Sequence, residues 1–99
     1  MTTRHRITHG NVFRHLGFSR EEAENLKIRA NLMSRLAALI KSRELTQAAA
    51  ARLFGVSQPR VSDLVRGKID RFSIDTLVAM FGHAGAEVCF TVRNRRRVA

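Results

Sequence analysis

Acidic residues are scarce in this sequence. Eight Asp and Glu stand against eighteen Lys and Arg, leaving a formal net charge of +10 and a sequence pI near 11.7. Such a chain repels itself, so a polyanionic partner is the first expectation. The single cysteine, Cys89, excludes an internal disulfide and fits a reducing compartment, hence a cytoplasmic protein. No apolar run approaches the roughly 20 residues that span a bilayer. The stretch MTTRHRITHG has no apolar core behind its basic residues and is expected not to be a secretory leader. No membrane partner is expected, since surface binding needs a helix with its basic residues opposite a broad apolar face.

Metal and catalytic signatures are also missing. His5 and His9 stand four apart, with His15, His83 and Cys89 as further candidates, but no CxxC pair or HExxH helix accompanies them. The few carboxylates sit mostly on one capped helix beside basic residues. There is no glycine-rich phosphate loop and no nucleophile–base set. Neither a metal, nor a cofactor, nor enzyme activity is expected.

What is present is one domain's worth of chain: 99 residues, 44% hydrophobic and 26% charged, enough for a modest core. The charge is spread along it, +3 over residues 1–18, +2 over 19–45, +3 over 46–72 and +2 over 73–99, so no basic tag hangs from an acidic body. Residues 1–18 read as an arm without regular structure, its Val12-Phe13 and Leu16 docking locally. Ser19-Arg20-Glu21-Glu22 is a capping box. Behind it Leu26, Ala30, Met33, Leu36/Ala37 and Ile40 form the stripe of an amphipathic helix from about Arg20 to Arg43. Thr46 caps a short alanine-rich helix ending near Phe54. Ser57 caps another, with Pro59 in its first turn and an end before Gly67. A basic loop, Lys68 to Phe72, precedes a helix capped by Ser73, with a core face of Ile74, Leu77, Val78 and Phe81, closed by Gly82 and Gly85. Ala86 to Arg93 then alternates Val88, Phe90 and Val92 with Glu87, Cys89, Thr91 and Arg93, which predicts a strand in which Cys89 is half-buried. Residues 94–99 are a basic tail.

The stretch LTQAAAARLFGVSQPRVSDLVRG, Leu45 to Gly67, carries the functional signal. Two short helices crossing at roughly 90–120° form a helix-turn-helix. The first helix needs a small side chain at the crossing, and Ala51 supplies it. The corner needs a residue that tolerates positive φ, and Gly55 follows four positions later. Ala50, Phe54, Val56, Val61 and Leu64 have the spacing to plug the angle between the helices. A packed hairpin that never meets DNA would share these features.

Gln47 to Arg66 resembles the helix-turn-helix of the lambda-repressor-like (Xre) family, over about Leu26 to Phe81. The resemblance rests on the Thr-Gln opening, the small residue, the glycine corner and the Ser-Gln start of the second helix. A wider likeness takes in Asn11-Val12-Phe13 with Leu16-Gly17, the long capped helix and the closing Glu87-Val88-x-Phe90-x-Val92-Arg93. That layout resembles short antitoxins of the HigA type, which pair with RelE-like toxins that cut translated mRNA. The resemblance implies an all-α bundle of four to five helices over residues 19–85, with the motif at 46–66 and one C-terminal strand over 86–93. It implies a bacterial, nucleoid-associated repressor of its own gene that neutralises a toxin. A stand-alone regulator of a phage or mobile element, and a protein-interaction module, are the rival readings.

In such motifs the second helix enters the major groove. Gln58, Arg60 and Asp63 are the expected outward, base-reading positions, with Pro59 available to a thymine methyl group. Gln pairs bidentately with adenine and Arg with guanine. Gln47, Ser57, Ser62, Arg66, Lys68 and Arg71 are expected along the DNA backbone. Arg4 and Arg6 are candidates for a minor-groove arm, and Arg93, Arg95, Arg96 and Arg97 for unspecific backbone attraction; disorder and simple solubility are their alternatives. A lone strand leaves apolar edges unpaired. Val88, Phe90 and Val92 are therefore expected to pair antiparallel across a homodimer, which would also set two recognition helices about 34 Å apart on a palindrome. Pairing with Arg6-Ile7-Thr8 is the alternative.

Overall fold

Four hydroxyl side chains fix where the longer helices begin. Oγ of Ser19 accepts the Glu22 amide at 3.2 Å, Oγ1 of Thr46 the Ala49 amide at 3.1 Å, Oγ of Ser57 the Arg60 amide at 3.3 Å and Oγ of Ser73 the Thr76 amide at 3.1 Å. Each bond satisfies an amide that the first helical turn leaves without a partner. The computed structural model describes residues 9–94. Among them it contains α1 (His9–His15), α2 (Arg20–Ser42), α3 (Gln47–Phe54), α4 (Gln58–Val65), a 3₁₀ turn (Ile69–Arg71) and α5 (Ile74–His83).

The capping box of α2 is complete. The Ser19 amide donates back to Glu22 Oε1 at 3.0 Å. That amide, and then the Ser19 hydroxyl, hold the Glu22 carboxyl below the usual range for a glutamate, against a small opposing effect of burial.

The core lies where α2, α3, α4 and α5 converge. Leu32, Met33, Leu36 and Ile40 of α2 meet Ala50, Ala51 and Phe54 of α3, Val61 and Leu64 of α4, and Leu77 and Met80 of α5. The expected face of α2 holds at Leu26, Met33, Leu36 and Ile40, with Ala30 and Ala37 only half-buried. In α5 the buried pair is Leu77 and Met80; Ile74, Val78 and Phe81 flank it, half-buried. Gly82 lies inside α5 rather than at its end, and Gly85, at φ +85°, makes the turn that follows.

Three sequence expectations need correction. The arm is not wholly irregular, because His9–His15 is helical and lies against α2. Gly10 weakens the local helical tendency, and tertiary packing overrides it: Phe13 is half-buried beside Ala30, Met33 and Leu64, and meets Phe18 edge to face at 6.1 Å. Val12 and Leu16 do not dock; both stay exposed. Second, Ala86 to Arg93 forms no strand in the single chain. A strand is defined by ladder hydrogen bonds, and no described residue supplies that ladder. Third, Cys89 is exposed rather than half-buried, with its thiol 3.8 Å from Glu87 Oε1. Arg4, Arg6, Ile7, Thr8, Arg95, Arg96 and Arg97 lie outside the described residues, as does His5.

Candidate nucleic-acid interface

The corner between α3 and α4 forms as its residue types require. Ala50 and Ala51 are buried, so α4 approaches α3 closely enough for Val61 and Phe54 to share one core with them. Gly55 ends α3 at φ +69° and ψ +33°, with its amide donating to the Ala51 carbonyl. Val56 repeats that bond at 3.0 Å and is itself half-buried. Glycine has a second reason to be there. A Cβ on Gly55 would lie 2.5 Å from His83 Cδ2, because the imidazole at the end of α5 covers the corner. Its Nδ1 lies 3.1 Å from the Leu53 carbonyl, an acceptor, so this nitrogen carries the hydrogen. His83 thus pins the elbow to α5. Among the described residues no three of His, Cys, Asp or Glu gather as metal ligands.

Helical spacing sorts the side chains of α4 around its axis. Val61 and Leu64 face the core. Pro59, Ser62 and Arg66 stand roughly opposite them, with Pro59 and Arg66 exposed and Ser62 half-buried. Gln58 is exposed on one flank. Arg60 and Asp63, one turn apart, lie on the other flank, and both are half-buried. They are therefore not the free outward groups that the pattern alone predicts.

Their partners come from the loop after α4. Arg60 Nη1 donates to the Arg71 carbonyl at 2.8 Å, and its guanidinium lies 5.4 Å from the centroid of the Phe72 ring. Asp63 Oδ1 accepts from Arg71 Nη1 at 3.1 Å. With Arg71 half exposed, this ion pair contributes only about 0.2–1 kcal/mol, but it fixes the loop against the helix. A third arginine completes the arrangement from behind. Arg29 Nη1, on α2, donates to the carbonyls of Ile69 and Phe72 at 3.2 and 3.3 Å, while its Nε is held by Asn25 Oδ1 at 2.7 Å.

Sequence reading did not find Arg29, Phe72 or His83 in these roles. Phe72 reads as the end of a basic loop, yet it is 2% exposed. Its only signal is the placement of a large aromatic residue directly before the Ser73 cap, the position from which an apolar side chain staples a helix start to the core.

The backbone candidates spread along one rim. Gln47 and Ser57 sit at the starts of α3 and α4, and Arg66 caps the end of α4. Lys68 is half-buried in the loop, Arg66 is exposed, and Asp70 is the carboxylate left unpaired there among the described residues. The C-terminal candidates divide. Val88 packs on the core of its own chain, while Phe90 and Val92 are exposed, Val92 at 92%. Among the described residues no helix is long and apolar enough to cross a membrane.

The sequence profile of a family described as a helix-turn-helix domain matches residues 12–93. A solved structure provisionally described as an XRE family transcriptional regulator is 32% identical, with a TM-score of 0.70 over 79% of this chain and 91% of that one. No curated protein matches the sequence significantly. By the match over residues 12–93, and by an α3–α4 corner built on Ala51 and Gly55, this chain belongs to the helix-turn-helix domain family, in its Xre-like form.

Proposed function

We propose that this protein is a sequence-specific DNA-binding transcriptional repressor that acts without catalysis, metal or cofactor. The observation that carries this reading is the placement of α4. Its Gln58, Pro59, Ser62 and Arg66 edge projects from a segment, residues 46–72, with a net charge of +3. A helix of this kind fits the major groove, and backbone contacts set its register. Gln47, Ser57 and Ser62, with Arg66, Lys68 and Arg71, hold the phosphates. Gln58, Arg60 and Asp63 choose the bases, with Pro59 against a thymine methyl group; a bidentate Arg or Gln contact discriminates by about 1–3 kcal/mol.

The working form is a homodimer on a palindromic operator. The exposed Phe90 and Val92 support this, because such a segment buries apolar surface once a second copy supplies the antiparallel ladder. Two copies then present recognition helices about 34 Å apart. The resemblance to HigA-type antitoxins, from the Asn11-Val12-Phe13 helix to the closing Val88-x-Phe90-x-Val92 segment, supports a cytoplasmic regulator of its own operon that also neutralises a RelE-like toxin.

DNase footprinting of the region upstream of the gene, with and without the neighbouring gene product, tests both parts. A two-fold symmetric footprint that the neighbouring product alters fits the repressor–antitoxin reading. A footprint indifferent to it leaves a stand-alone repressor. No protection at any protein concentration, specific or general, refutes the DNA reading in favour of a protein-interaction module.

A further inference from the structure

We propose that the Phe72 ring and the Arg71 carbonyl form a rack that orients Arg60, so that two groups which do not themselves contact DNA set the base preference at the pair Arg60 reads. This inference rests on the DNA-binding reading above and goes beyond it by naming positioning residues.

An exposed arginine at the start of a helix samples many rotamers, and its fork finds a base edge only in a few of them. Arg60 is restrained at two points. Its guanidinium carbon lies over the Phe72 ring, 5.4 Å from the centroid, and Nη1 donates to the Arg71 carbonyl at 2.8 Å. The acceptor is itself fixed. Arg29 grips the carbonyls on either side of it, those of Ile69 and Phe72, and the Arg71 side chain pairs with Asp63 one turn beyond Arg60. Among the described residues the Nε and Nη2 of Arg60 make no hydrogen bond, so that edge keeps two parallel donors for the O6 and N7 of a guanine. Preorganisation of this kind strengthens a contact by removing the ordering cost at the moment of binding. The core alone accounts for burial of an apolar residue at position 72, but not for a guanidinium on its ring.

The two roles of Phe72 separate by substitution. Leucine keeps an apolar side chain of similar volume without a π face, whereas tyrosine keeps the face. The assay titrates the full-length chain against the footprinted operator and a set of duplexes in which each base pair is replaced in turn, read by fluorescence anisotropy. Arg60→Ala identifies the pair that Arg60 reads, as the one where discrimination disappears. Phe72→Leu is expected to lower the preference at that pair about 2–5-fold, the size of an exposed cation–π contact, with the other pairs and the salt dependence unchanged. Phe72→Tyr restores it. Should Phe72→Leu not hold its helical circular dichroism at the assay temperature, Arg29→Met replaces it, releasing the carbonyls without touching the ring, with the same single-pair loss expected. A folded Phe72→Leu or Arg29→Met variant that keeps the wild-type preference at that pair overturns the proposal. So does a gain in operator affinity, which would mean that the ring and carbonyl store Arg60 away from the bases, and so does an Arg60→Ala variant with every preference intact. Absence of any sequence preference in the wild-type chain would instead remove the DNA reading, and this proposal with it.

Discussion

Gly55→Ala, alone and combined with His83→Ala, probes the elbow on which the placement of α4 depends. An alanine held at φ +69° is strained by roughly 1–2 kcal/mol relative to glycine, partly offset by about 0.4–1 kcal/mol from a stiffer unfolded chain. The new methyl group would also meet the imidazole at 2.5–2.8 Å, so the ring must swing away and give up its bond to the Leu53 carbonyl. That bond is worth about 0.5–1.5 kcal/mol net. The single substitution should therefore cost about 1–3 kcal/mol, which shifts a urea midpoint by on the order of 1–2 M for a domain of this size. His83→Ala alone should cost about 0.5–1.5 kcal/mol, the same bond. In the double variant that bond is lost only once, so the combined loss falls short of the sum of the singles by about 0.5–1.5 kcal/mol. Urea denaturation followed by helical ellipticity measures all four proteins. Additivity within about 0.3 kcal/mol would refute the reasoning, because it would mean that His83 does not occupy the space above Gly55.

Other consequences follow from single contacts. Lys68→Ala should weaken binding to all DNA sequences alike and lower the slope of log affinity against log salt by about one unit, as anisotropy titrations at several salt concentrations would show. The Glu22 carboxyl is held below its ordinary range, so its contribution to stability is complete above the unfolded value of about 4.3 and fades as pH falls through the lower folded value. Wild-type urea midpoints should accordingly drop across that acidic window more steeply than those of Glu22→Gln. Glu44 turns the chain between α2 and α3 at φ +51°, the positive-φ residue other than glycine among those described. Glu44→Gly should raise stability by up to about 1 kcal/mol, measurable as a higher melting temperature.

The parts of this fold that were legible in the sequence are those specified locally. Ser19, Thr46, Ser57 and Ser73 announce helix starts because the capping bond spans three residues, and Gly55 announces the corner because its conformation is its own. Ala51 and Val61 follow from short-range spacing. Contacts that join distant stretches were not legible. His83 reaches back 30 residues to Leu53, and Arg29 reaches forward 40 and 43 residues to the loop after α4. Neither carries a local signal, since an arginine on a helix face and a histidine near a helix end are ordinary surface residues. The same limit explains Arg60 and Asp63. Periodicity places them off the core face, but only the course of residues 69–72 shows that they have partners. The strand expected over residues 86–93 fails for a related reason, because alternation specifies a compatible edge and not the chain that must pair with it.

The central claim is that the solvent-facing side of α4, with the rim around it, receives the duplex. Amide chemical-shift mapping of the labelled protein during addition of operator DNA tests it most directly. The account predicts that the largest changes fall on Gln47, Ser57, Gln58, the amides from Arg60 to Asp63, Arg66 and Lys68, with α2 and the segment around Phe90 moving little. Changes gathered on α2, α5 and Val88 to Val92, with the amides of α4 unmoved, would contradict it.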